Sequence, residues 1–86
     1  MLIIYNHGFK KALEKLPPKI KITFKERLDL FIVNPYAEVL NNHRLHGQFR
    51  HYRSINITGN YRLIFEEKDS NTISLIDIGT HNQIYG

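Results

Sequence analysis

The chain contains no cysteine. That absence removes disulfides, thiolate zinc sites and thiol catalysis together, and it fits a reducing compartment. It has no apolar stretch near the ~20 residues a membrane span requires, so no membrane partner is expected. The opening run Met1-Leu2-Ile3-Ile4-Tyr5 is too short for a secretory signal and lacks its basic flank, so the expected location is cytoplasmic. There is no internal repeat, low-complexity tract or disorder-like segment. Acidic residues are the scarcer charge, 8 Asp+Glu against 12 Lys+Arg, for a formal net charge of +4. That excess of cations favours an anionic partner such as nucleic acid or an acidic protein.

What remains is the composition of a small folded domain. Hydrophobic residues make up 42% of the 86 residues and charged residues 23%, which is ordinary for a globular chain. One domain over residues 1–86 is expected, with a thin core, because a chain this short buries only about two-thirds of its unfolded surface.

The first half has helical periodicity. Leu2 to Tyr5 reads as a short strand bounded by Asn6-His7-Gly8. Phe9, Leu13 and Leu16 fall on one face of a helix that Pro17-Pro18 ends. Pro18 also suits the first turn of a second helix, in which Ile20, Phe24, Leu28 and Phe31 recur at spacings of four, four and three. That helix reaches about Val33 and stops at Asn34-Pro35, and the two helices are expected to form an antiparallel pair. A polar loop follows, from about Pro35 to His43. The period then changes to two. Three strands are expected: Phe49 to Ile57, Tyr61 to Glu67 and Thr72 to Gly79. Thr58-Gly59-Asn60 and Lys68-Asp69-Ser70-Asn71 form the turns. The fold class is α+β, in the order β-α-α-β-β-β, with two N-terminal helices packed on an antiparallel sheet.

Ionisable and aromatic residues interleave in the second half: Arg44, His46, Arg50, His51, Tyr52, Arg53, Tyr61, Arg62, His81 and Tyr85. Strand alternation turns Leu63 and Phe65 toward the helices and Arg62 toward the opposite face. Arg53 falls on either that face or the rim of the sheet. Basic and aromatic groups on an open sheet suit single-stranded RNA, because cations neutralise phosphates and rings stack on splayed bases. Cleaving RNA through its own 2′-OH needs a base, an acid and cations around the phosphate. Histidine serves the first two near neutral pH and arginine the third, with no metal or other cofactor required. Strand arginines more commonly serve as solvated residues or ion-pair partners. His43-x-x-His46 has the spacing of a metal-binding pair, but no Cys or carboxylate accompanies it.

Three segments carry a resemblance: Asn42-His43-Arg44-Leu45-His46-Gly47, Tyr52 through Phe65, and Ile78-Gly79-Thr80-His81-Asn82-Gln83-Ile84-Tyr85. They resemble, in order and spacing, an H-x-L-x-G element, a Y-R-x-x-x-(I/V)-x-x-(D/N)-(W/Y) strand-turn-strand and a terminal G-T-H-x-x-(L/I)-(Y/F) of the YafQ-like branch of the RelE toxin superfamily. The first 41 residues match in pattern only.

The resemblance implies a type II toxin with the small RelE-like fold. Such a toxin cuts mRNA in the ribosomal A site, inhibits translation and forms a hetero-oligomer with a cognate acidic antitoxin. It implies His81 as general acid, His43 as a second catalytic or base-contacting histidine and Arg62 on the phosphate. It also implies Tyr85 and Tyr61 at the RNA; the interleaved basic and aromatic residues separately put Arg50, Arg53 and His46 on the RNA-facing surface. The chain departs from the best-known members at four positions. Asn56 stands where another His is found, Ser54 and Asn60 stand where Asp is found, and Asp77 replaces a basic residue. Asn56 cannot accept a proton at neutral pH, so His43 is the remaining nearby candidate for the base, with a different base or an inactive toxin as the alternatives. The alternatives are a non-catalytic ParE-like inhibitor of DNA gyrase, or an inert RNA- or ribosome-binding module on the same fold.

Overall fold

A computed structural model describes residues 1–86. Strand β1 spans Leu2–Tyr5 and helix α1 spans His7–Glu14. The helix begins two residues before Phe9 because the Asn6 side chain caps it, accepting from the Gly8 N–H at 2.9 Å. Helix α2 runs Pro18–Val33 with a proline in its first turn, and it ends at Asn34. Its stripe of Phe24, Leu28 and Phe31 is buried. The helices meet through Phe9, whose ring centroid lies 5.6 Å from that of Phe24. Neither helix is long and apolar enough to cross a membrane.

The second half adds strands β2 (His43–Arg44), β3 (Arg53–Asn56), β4 (Tyr61–Asp69) and β5 (Thr72–Thr80), then a terminal helix α3 (His81–Tyr85). The expected strand from Phe49 is cut short. Gly47 adopts φ +64 and opens a 3-10 turn through Phe49, so the extended chain starts only at Arg53. The sheet order is β1-β5-β4-β3-β2. The hairpin-linked strands pair antiparallel, as expected, but β1 pairs parallel with β5, Leu2 opposite Thr72 and Tyr5 opposite Leu75. The sheet is therefore mixed rather than antiparallel. A tight turn forces the antiparallel sense only between consecutive strands, whereas β1 reaches β5 across both helices and the rest of the sheet.

Register sorts the faces. Leu63 sits between Ile55 and Ile78, and Phe65 lies beside Leu75; all five are buried under the helices. Phe31 meets Phe65 edge-on at 5.1 Å. On the opposite face Arg62 lies between Asn56 and Gly79, and Ser54 lies between His43 and Ile64. That face is not bare, since Ile64 is only 2% exposed.

Arg53 shares the helix-side face with Phe65. Its Nε donates to Asn42 Oδ1 at 2.9 Å, and Asn42 Nδ2 donates to the Pro35 carbonyl at 3.0 Å. Its guanidinium carbon lies 5.9 Å from the Tyr36 ring centroid. Arg53 thus anchors the loop between α2 and β2. We expect Arg53→Ala to lower stability by about 1.5–3 kcal/mol, the net worth of a hydrogen bond to a charged group. Arg53→Lys should not restore it, because lysine lacks both Nε and the planar fork. Urea unfolding of the three proteins checks this; unchanged stability with weakened RNA binding would place Arg53 at the substrate instead.

Candidate functional site

The face opposite the helices carries a cavity of about 220 Å³ lined by His43, Leu45, Ser54, Arg62, His81 and Tyr85. Each arrives by a local rule. β2 and β3 place His43 opposite Ser54, and the alternation of β4 turns Arg62 to the same side. The last two come from α3, whose start is a capping box. Thr80 Oγ1 accepts from the Gln83 N–H at 3.2 Å, and Gln83 Oε1 accepts from the Thr80 N–H at 2.8 Å. His81 and Tyr85 are then four residues apart on one helical face, with ring centroids separated by 4.8 Å. Gly79 makes room for this turn, because a Cβ there would lie 2.9 Å from Gln83 Oε1.

No carboxylate lines the cavity. The Arg62 guanidinium is in no ion pair. It is held by neutral carbonyls: one Nη1 donates to Thr58 and Gly59 at 3.0 Å and to Tyr61 at 3.2 Å. The other guanidinium donors have no hydrogen-bond partner in the protein. Phe49 meets Tyr85 edge-on at 5.1 Å and closes one side of the ring. Burial pushes the Tyr85 phenol above its ordinary value of 10.0, and the nearby Arg62 charge pulls it part of the way back. Tyr85 therefore stays a neutral hydrogen-bond donor across the neutral range. Ser54 is 1% exposed and its Oγ has no hydrogen-bond partner within the protein. His43 Nδ1 lies 2.7 Å from the Asn41 carbonyl oxygen. The set combines an unpaired cation, two imidazoles, a neutral phenol and a free hydroxyl, which suits a phosphodiester anion.

The structure brings together His43, Arg62, His81 and Tyr85 but leaves the other expected residues outside. Arg53 anchors a loop on the helix side. Tyr61 packs against the core and lines a separate cavity of about 310 Å³ with Lys11, Lys15, Asp77 and Gln83. His46 and Arg50 are exposed on the loop between β2 and β3, where Arg50 Nη1 donates to the Gly47 carbonyl at 3.3 Å. His43 and His46 do not join a third side chain in a metal-binding group. Two parts of the site went unread in sequence. In sequence Ser54 is only a departure from the family pattern, and no signal marks a serine as unpaired. The helix α3 did have a signal, since Thr80-x-x-Gln83 is a capping-box spacing.

A family model described as "Bacterial toxin of type II toxin-antitoxin system, YafQ" matches residues 1–86. No curated protein gives a significant match. Among solved structures, YafQ from E. coli strain BL21(DE3) superposes with a TM-score of 0.84 at 23% identity, covering 98% of this chain and 97% of that one. The toxin in the E. coli DinJ–YafQ toxin–antitoxin complex gives 0.80 at 23% identity, covering 98% and 96%. The YoeB/ParE toxin from Agrobacterium tumefaciens gives 0.77 at 15% identity, covering 94% and 99%. These likenesses establish a shared fold, and the match along the whole chain establishes more: this protein belongs to the YafQ family of toxins of bacterial type II toxin–antitoxin systems.

Proposed function

We propose that this toxin is a metal-independent endoribonuclease that cuts mRNA on the ribosome and so inhibits translation. The observation that supports it most is the carboxylate-free cavity in which Arg62, without a counter-ion, shares a wall with two histidines. In this reading His43 takes the proton from the 2′-OH, and the 2′-oxygen attacks the adjacent phosphorus. The phosphorus–5′-oxygen bond breaks, and His81 gives its proton to the departing 5′-oxygen. The products are a 2′,3′-cyclic phosphate and a 5′-hydroxyl. Arg62 stabilises the charge that builds on the phosphoryl oxygens, while Tyr85 donates a hydrogen bond or stacks on a base. Few groups are available to orient the RNA, which supports a substrate presented by the ribosome. That role places the protein in the cytoplasm.

Mapping mRNA ends in translating extracts tests the reading. Cleavage is expected on ribosomes, with free RNA largely intact. His81→Ala should slow single-turnover cleavage by about 10²–10⁴-fold, the usual contribution of a placed acid, without changing thermal stability. Arg62→Ala should lose binding as well as rate. An unchanged rate in a folded His81→Ala protein would sink the acid assignment. Toxicity with uncut mRNA and blocked DNA supercoiling would favour the gyrase-directed alternative.

We extend to this chain the partnership that the DinJ–YafQ structure displays for its relative. The net charge of +4 supports an acidic antitoxin. Co-purification from the native host should recover a small acidic protein that raises the melting temperature of the toxin, because it binds only the folded state. Its affinity should fall as salt screens the charges.

The raised Tyr85 pKa carries a sign. Above 10.0 the unfolded chain ionises this phenol while the folded chain still holds its proton. The contribution of Tyr85 to stability is thus intact below 10.0 and is lost as pH climbs through the raised folded value. The difference in ultraviolet titration between the wild type and Tyr85→Phe should show a midpoint above 10.0. A midpoint at or below that value contradicts the buried, neutral phenol.

A further inference from the structure

His43 is connected to its loop by a bond that decides which of its nitrogens can do chemistry. Its Nδ1 lies 2.7 Å from the carbonyl oxygen of Asn41. A carbonyl can only accept, so Nδ1 must carry the hydrogen. In the other neutral tautomer, two lone pairs would face each other at that distance, and Nε2 would already hold a proton. The bond therefore selects the Nδ1–H form, in which Nε2 is the ring's free acceptor. His43 lines the cavity, so Nε2 is the acceptor it can offer there.

The carbonyl is held in place by an unusual backbone. Asn41, at φ 47 and ψ 50, is the single non-glycine residue with positive φ in the chain. Asparagine tolerates this left-handed region better than most residues. The positions on either side are fixed. Leu40 is fully buried, and the Asn41 N–H donates to the Glu38 carbonyl at 3.1 Å to close a 3-10 turn over Glu38–Leu40. Asn42 bridges the Pro35 carbonyl and Arg53 Nε. His43 itself is paired with Ser54 in the sheet. Between these anchors, the left-handed turn aims the Asn41 carbonyl at the imidazole two residues on.

We propose that Asn41 is the positioning residue of this site: its left-handed backbone points its carbonyl at His43 Nδ1, fixes the Nδ1–H tautomer and so leaves Nε2 competent to take a proton. This rests on the reading of His43 as the base. The arrangement has the logic of a base oriented by a third group, with a main-chain carbonyl in the place often held by a carboxylate. The Asn41 side chain is incidental and its backbone conformation is essential, so glycine should replace it and a β-branched residue should not.

The test reads the tautomer directly. Long-range proton–nitrogen NMR of the free toxin reports which ring nitrogen carries the hydrogen, with His43 assigned by loss of its signals in His43→Gln. Wild type and Asn41→Gly should both show the Nδ1–H form and cleave at similar rates on ribosomes. Asn41→Val should populate the Nε2–H form and slow single-turnover cleavage by at least ~10-fold, approaching the ~10²-fold of losing a placed base. Should Asn41→Val fail to fold, Asn41→Ala penalises the same conformation more mildly and carries the comparison. An Nε2–H His43 in wild type overturns the proposal. So does a tautomer that stays Nδ1–H in folded Asn41→Val and Asn41→Ala. Loss of activity in Asn41→Gly with the Nδ1–H form intact also counts against it, since the side chain would then matter. If the tautomers behave as stated but His43→Ala cleaves at full rate, the orienting bond is upheld and the base assignment alone falls.

Discussion

The register of β4 between β3 and β5 is the constraint on which the rest of this small protein depends. Leu63 lies between Ile55 and Ile78, and the next residue toward the N-terminus, Arg62, lies between Asn56 and Gly79. Because strand side chains alternate strictly, one alignment satisfies both faces at once. The apolar residues close the core under Phe31 and Phe24, and the arginine is delivered to the cavity side. A slip of one residue would bury a guanidinium and expose the core. The energy that seats Arg62 is thus the burial of its neighbours, with its own contacts to the Thr58–Tyr61 turn refining the pose.

Charge is distributed to match. Carboxylates are absent from the cavity but present elsewhere. Lys25–Asp29 and Lys68–Glu66 are solvent-accessible pairs, and Asp77 lines the other cavity while accepting from the Ile78 N–H. Exposed pairs of this kind contribute little to stability. An arginine kept among neutral carbonyls retains its full charge for an incoming anion, whereas a carboxylate partner would compete with a phosphate. In the proposed cleavage the missing acid therefore matters alongside the histidines.

The two histidines are held by opposite means. His81 rides on a one-turn helix that is held by its own capping box and by close packing over Gly79. His43 stands at the end of a loop pinned through Asn42 to Arg53, whose side chain sits on the far side of the sheet. A residue outside the cavity thus anchors the loop that leads into it. Tyr85 completes the arrangement by touching both His81 and Phe49, which ties α3 to the loop between β2 and β3.

Much of this was legible in the sequence. The strand at Leu2–Tyr5, the α2 stripe from Ile20 to Phe31, the hairpin at Thr58-Gly59-Asn60 and the inward Leu63 and Phe65 all follow from local periodicity and turn chemistry, which act over a few residues. The family motifs likewise singled out His43, Arg62, His81 and Tyr85, which share the cavity, together with Tyr61, which lines the other one. Other features were settled only by tertiary structure. A two-residue strand such as β2 has no period to read, and the parallel pairing of β1 with β5 joins segments about 70 residues apart. Arg53 and Arg62 look alike as strand arginines; only register sends one to the loop at Asn42 and the other to the cavity. Sequence spacing specifies which side chains alternate, but which face becomes a core and which a site is decided by what packs against the sheet.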